Sequence, residues 1–225
     1  MKLIQKSFGI GAISGVLLFA GCATETNRGI ETPQVQAASQ PYAGTKALLA
    51  VGKFDNRSNF MRGIFSDGVD RLGGQAKTIL ITHLQQTGRF SVLDRENMDE
   101  NKREASFANE EQKIKGAEFI ITGDVTEFGR KEVGDQQLFG IMGSGKAQIA
   151  YAKVSLYLVN VRTSEVVTSV QGAGEYTLSS REVLGFGGSA SYDSTLNGKV
   201  LDLAIRQAVD KLSIGFESGK WSQTK

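Results

Sequence analysis

Hydrophobic positions recur along the chain with two different periods. KALLAVGKF (Lys46–Phe54) is a short apolar run of strand length. From Gly73 to Gly88, Ala76, Ile79, Leu80, His83 and Leu84 share one helical face, and Gly88 follows as a stop. RFSVLDR (Arg89–Arg95) reads as a second strand. Glu96 to Lys115, dense in Glu, Lys, Asn and Asp, reads as a solvated helix. GAEFIITGDVTEF (Gly116–Phe128) and VSLYLVNV (Val154–Val161) predict two further strands. Val200, Leu201, Ala204, Ile205, Ala208, Val209 and Leu212 repeat with helical spacing and predict a closing helix. Strands and helices in this order predict an α+β domain, its helices packed on a small mixed sheet.

Two stretches exceed what such a domain requires, 126–158 and 169–198. Both alternate in polarity, are rich in Gly, Ser, Tyr and Phe, and are long enough to fold back as hairpins of roughly 10-residue strands, the length that spans a bilayer as tilted β-strand. In the first, Phe139 and Ile141 precede a turn, and Ile149, Tyr151 and Tyr157 share a parity after it. In the second, Tyr176 and Leu178 lie on the ascending arm and Tyr192 on the descending one. A single chain cannot close a barrel from two hairpins, because its edges would be left unpaired in lipid. Membrane insertion therefore requires several subunits to share one barrel; the alternative is a pair of exposed hairpins used for protein contacts.

The ends of the 225-residue chain add a location. Lys2 and Lys6 precede the apolar and small residues of Phe8–Ala20, a run too short for a comfortable span and suited to a secretory signal. It ends in LFAGC (Leu18–Cys22), close to the pattern at which bacterial lipoproteins are cleaved and acylated on cysteine, and Cys22 is the only cysteine. This predicts a signal peptide over 1–21, a lipid such as palmitate on Cys22, and no internal disulfide. The next residues, 22–45, are polar and small, contain both prolines (Pro33, Pro41), and read as a flexible tether to a domain over 46–221, with a tail at 222–225. Removing the leader takes two of the 26 basic residues and none of the 24 acidic ones, so the net charge of +2 falls to zero. A nucleic-acid partner is not expected from such a balance.

Candidate chemistry is sparse. FGIMGSGKAQ (Phe139–Gln148) holds Gly140, Gly145 and Lys146 at the spacing of a phosphate-binding loop. Such a loop needs a buried strand before it, a helix after it, and a hydroxyl residue following the lysine. Here Ala147 follows, and AQIAYAKVSLYLVNV reads as strand, so the glycines are expected to form a turn and no nucleotide. The single His83 has no cysteine or second histidine to share a metal and is expected at the core or its boundary. G-x-S-x-G is absent. No catalytic residues, metal or cofactor are expected, and the chain is not read as an enzyme.

TILITHLQQTGRFSVLDRENM (Thr78–Met98), GAEFIITGDVTEF, VSLYLVNVRTSEVV (Val154–Val167) and the closing GKW (Gly219–Trp221) together resemble the CsgG family of curli secretion lipoproteins. The resemblance covers most of the chain after the tether. It implies an outer-membrane lipoprotein with a periplasmic domain and two transmembrane hairpins per subunit. Around nine subunits of four strands each would form a barrel of roughly 36 strands, the largest class known. It implies export of unfolded amyloid subunits with accessory secretion proteins and without a nucleotide. Ala23 after the cysteine, in place of a retention aspartate, fits the outer membrane. In that family a loop between first strand and first helix narrows the pore with Tyr, Asn and Phe. The corresponding stretch is Asp55–Gly74, where Asn59 and Phe60 match the Asn-Phe pair; counting back from the helix points instead to Asp67-Gly68, and Phe65 lies between. Ser164 replaces the family's usual glycine in the T-G-E turn. The alternatives are a monomeric periplasmic lipoprotein regulating cell-wall synthesis, like the LpoB-type activators, and a structural anchor or ring component; neither needs the long hairpins.

Overall fold

The computed structural model describes residues 32–60, 68–136, 144–182 and 196–221, with side chains placed outside 132–136, 144–148 and 178–182. The elements are β1 (Ala47–Asn56), α1 (Arg71–Gln86), β2 (Phe90–Leu93), α2 (Met98–Phe107), β3 (Phe119–Gln136), β4 (Ser144–Asn160), β5 (Val166–Glu182) and α3 (Leu196–Glu217). The five strands form one mixed sheet in the order β2-β1-β3-β4-β5. β1 lies between β2 and β3 and pairs in parallel with both, whereas β3, at the centre of the sheet, forms an antiparallel meander with β4 and β5.

The core lies between the sheet and helices α1 and α3. Alternate residues of β4, from Ala150 through Ala152, Val154 and Leu156 to Leu158, are buried on the helix side, as the two-residue period of a strand requires. α3 buries Val200, Leu201, Ala204, Ile205, Ala208, Val209 and Leu212, the stripe read from the sequence. It approaches β5 so closely that a Cβ on Gly172 would stand 1.9 Å from the Ala204 carbonyl oxygen, and one on Gly174 2.7 Å from that of Val200. These two glycines let the helix backbone rest on the strand. At its C-terminal end Gly219 takes φ 69°, and the Gly219 and Lys220 amides donate back to Phe216 and Gly215. This turn closes the helix and returns Trp221 to the core, stacked on Phe90 and edge-on to Phe119.

Two elements depart from the sequence pattern. The helix expected over Glu96–Lys115 stops at Phe107. Asn109 sits at φ 53° while its amide donates to Ser106 and that of Glu110 to Ala105, so an asparagine provides the left-handed stop that glycine usually supplies. α2 buries none of its residues. The strands expected at 116–128 and 154–161 are parts of longer ones: β3 and β4 pair without interruption from Phe119↔Asn160 to Gln136↔Ser144, apart from one bulge between Val125 and Glu127.

Residues 33–45, read from the sequence as part of a flexible tether, make specific contacts. Val35 is buried at 2% exposure, Gln36–Ser39 form a 3-10 turn, and Arg89 donates to the Ala37 and Gln40 carbonyls. Their anchor points lie far along the chain, out of reach of any local pattern.

Candidate functional site

β1 ends where β3 bulges. The Arg57 and Ser58 amides both donate to the Val125 carbonyl, at 2.9 and 3.0 Å, and the last β1–β3 pair is Asn56↔Val125. From there the chain leaves the sheet in the loop that ends at α1. Asp70 closes that loop at its base: Oδ2 accepts the Asn56 amide at 2.6 Å, and Oδ1 accepts the Gly73 amide at 2.7 Å. One carboxylate thus caps the helix and holds the end of the strand. Gly73 is needed there, because a Cβ would meet Asp70 Oδ2 at 2.4 Å and the Phe54 carbonyl oxygen at 2.5 Å. The first residues of the loop are folded on themselves. Asn56 Oδ1 accepts both the Ser58 amide and hydroxyl, and Asn56 Nδ2 donates to the Phe60 carbonyl at 2.8 Å. Arg57 Nε donates to Asp124 at 2.7 Å, and this bond raises the Arg57 guanidinium further above its ordinary pKa.

Of the residues singled out in this loop, Asn59 is exposed. The Phe60 ring packs edge-on against Phe128, centroids 4.6 Å apart, and is partly buried against the core. Phe65 and Asp67 lie outside the described residues.

Beyond the bulge, no described strand pairs with β3 on the β1 side, and β3, β4 and β5 continue together as a three-stranded ribbon. α3 covers one of its faces up to the level of Arg130, whose Nε donates to Asn197 Oδ1 at 2.9 Å. Pairing runs on past that level to Gln136↔Ser144 and Ser144↔Glu182, about six residues per strand or roughly 20 Å at the usual rise. Tyr151 lies opposite Gly129 on the face away from α3 and covers it; a Cβ there would meet the Tyr151 hydroxyl at 2.6 Å. Ile149 shares that parity and is half-buried. Tyr176 pairs with Ala150 on the helix side, under the Lys199 ammonium at 5.4 Å from its ring centre. Tyr151 and Tyr176 are 36% and 40% exposed, on opposite faces of the ribbon. Leu178 lies in β5 with its side chain outside the described set; Phe139, Ile141, Tyr192 and Cys22 also lie outside it.

Of the glycine-rich stretch Phe139–Gln148, residues 139–143 lie outside the described residues. Ser144 to Gln148 open β4, a strand where a phosphate-binding loop would open a helix. His83 is buried, with Nε2 2.7 Å from Asp202 Oδ1 and Nδ1 3.1 Å from Gln86 Oε1, a link between α1 and α3. Among the described residues no three His, Cys, Asp or Glu side chains gather as a metal site, and no helix is long and apolar enough to cross a membrane.

These elements define an α+β domain of three helices and a five-stranded mixed sheet whose last three strands run on as a ribbon. Residues 31–224 match the family model described as "Curli production assembly/transport component CsgG", and the chain belongs to that family. It is 58% identical over all 225 residues, and over the whole of the other chain, to the candidate lipoprotein NMB1126/NMB1164 of Neisseria meningitidis serogroup B (strain ATCC BAA-335 / MC58). Among solved structures it is similar to lipoprotein GNA1162 of Neisseria meningitidis, at 16% identity and a TM-score of 0.36 over 68% of this chain and 91% of that one. It is also similar to the PelC dodecamer of Paraburkholderia phytofirmans, at 14% identity and a TM-score of 0.31 over 81% and 92%. No functional assignment rests on those two likenesses.

Proposed function

We propose that the protein is an outer-membrane lipoprotein, acylated on Cys22, whose copies assemble into a nucleotide-independent channel for unfolded polypeptides. The observation that carries this reading is the ribbon of β3, β4 and β5, which continues past α3 with no described strand paired to it on the β1 side. An unpaired edge in hydrocarbon costs several kcal/mol for each orphaned backbone group, so such strands enter a bilayer only when neighbouring copies pair with them. Membership of the CsgG family and the lipoprotein name of the Neisseria relative support the same reading. In the assembly each subunit contributes β3, β4, β5 and a fourth strand from the 169–198 hairpin, and around nine subunits close the barrel.

The loop above the Asp70 clamp is then repeated around the axis. Asn59, Phe65 and Asp67 are the candidates to line a constriction, while Phe60 serves mainly to fix the loop on Phe128. A ring of amide and aromatic side chains passes an extended chain and retains folded proteins. The α+β domain faces the periplasm as a vestibule, and accessory proteins and cargo meet it there. Such transport makes and breaks no covalent bond, so the domain needs no catalytic residue.

The test is electrical. Protein extracted from membranes in mild detergent and added to a planar bilayer should give stable, stepwise conductance. Deletion of 139–148 should abolish it while the circular dichroism of the domain is kept. A protein that stays monomeric without detergent and gives no conductance refutes the channel and favours a soluble-domain lipoprotein acting on the cell wall.

A further inference from the structure

Arg89 is a buried cation whose partners come largely from the segment ahead of the domain. Its side chain is 3% exposed, in the turn just ahead of β2. It pairs with Glu217 at the end of α3 and donates to three backbone carbonyls, those of Thr87 (2.6 Å), Ala37 and Gln40 (3.1 Å). The Tyr42 ring lies beneath it with the guanidinium carbon 5.5 Å from the ring centre, and Tyr42 in turn touches Phe216. On the other side of the segment, the Ala37 amide donates to Asp210 Oδ1 at 3.2 Å and Val35 is buried. A guanidinium removed from water requires acceptors for its planar fork of N–H groups, and two of the carbonyls that satisfy it belong to this one segment.

We propose that Val35–Tyr42 is a latch which closes over Arg89 and fixes the point where the lipid-bearing N-terminal segment leaves the domain. The membrane consequence rests on the reading of Cys22 as lipidated. Twelve residues lie between Cys22 and Val35, thirteen Cα-to-Cα steps that span at most about 45 Å when fully extended. With the latch open the free chain runs to Lys46, and the limit rises to about 80 Å. The latch therefore holds the domain near the bilayer surface, where hairpins can find lipid and neighbouring copies, and its release lengthens the reach by nearly twofold.

Hydrogen exchange on the full-length protein in detergent micelles tests the latch. In the wild type, the amides of Ala37, Ala38 and Gln40 should be protected, each being hydrogen-bonded. Arg89→Lys, which keeps the charge but loses the planar fork, should speed exchange across 35–42 at least about tenfold and leave β1 and α3 unchanged. If Arg89→Lys does not fold, Tyr42→Ala and Asp210→Ala, which remove contacts from outside the core, should give the same local change. Unprotected wild-type amides, or variants that exchange at the wild-type rate, overturn the latch. The intact mass of the N-terminal peptide separates the two readings. Protection of 35–42 with an unmodified Cys22 refutes the lipid and keeps the latch; a lipidated Cys22 with unprotected 35–42 refutes the latch.

Discussion

Asp70→Asn should be nearly as damaging as Asp70→Ala, although asparagine is ordinarily a good helix cap. Asp70 uses both carboxylate oxygens, one for the Gly73 amide of α1 and one for the Asn56 amide of β1, at 2.7 and 2.6 Å. Loss of the cap costs about 1 kcal/mol. Loss of an acceptor for a buried amide at the strand end costs about 1–2 kcal/mol more. Alanine loses both, roughly 2–3 kcal/mol from a total that is 5–15 kcal/mol for an ordinary domain. Asparagine can accept from one amide only and turns an NH2 group toward the other, so it should lose at least about 1–2 kcal/mol. Urea unfolding of the detergent-solubilised protein, with hydrogen exchange of 55–74 read in parallel, measures both. The loss should be local first: exchange at the loop base rises before α3 responds. An asparagine variant as stable as the wild type would refute the two-amide clamp. So would additivity of Asp70→Ala with Gly73→Ala, which strikes the same contact from the other side.

Gly172→Ala should cost about 3 kcal/mol or more, the upper end of overpacking, because the new methyl meets the Ala204 carbonyl and Ala208 amide of α3, backbone atoms that cannot turn aside; a thermal midpoint within a few degrees of the wild type would contradict the direct seating of α3 on β5. His83→Ala should destabilise by about 2–4 kcal/mol, since it opens a cavity between α1 and α3 and removes the Asp202 and Gln86 partners together; a chemical denaturation midpoint unchanged from wild type would contradict that link. Asp94 accepts from the Asn97 side chain and from the Asn97 and Glu96 amides, in that order of effect, and these hold its carboxyl below the ordinary range. A lowered folded pKa means that its contribution is present above about pH 4 and is lost as pH falls through the lowered value. The Glu96 and Asn97 amide resonances should therefore titrate in that acid window, and Asp94→Ala should abolish the local titration.

What could be read from the sequence followed from distance along the chain. The stripe of α3 and the alternation of β4 are local periodicities, and both stand in the structure as expected. His83 could be placed in the core because it sits on an apolar face, but its carboxylate partner Asp202 lies on another helix and carried no local signal. The end of α2 was missed because Asn109 supplies a left-handed stop inside a stretch whose composition favours helix. The sequence pattern puts the start of the first helix at Gly73 and so passes over Asp70, which caps α1 ahead of Arg71; its second bond, to Asn56, depends on β1 and α1 being brought together. The docking of 35–42 was hidden for the same reason. A small, polar, proline-bearing segment looks like a tether until Arg89, Asp210 and Phe216 are gathered beside it.

Electron microscopy of the membrane-extracted protein in mild detergent tests the central claim, that the ribbons of several copies close one barrel. The expected images are rings of identical subunits around a central pore, lost on deletion of 139–148. Single, unassociated subunits in the same detergent would contradict the channel.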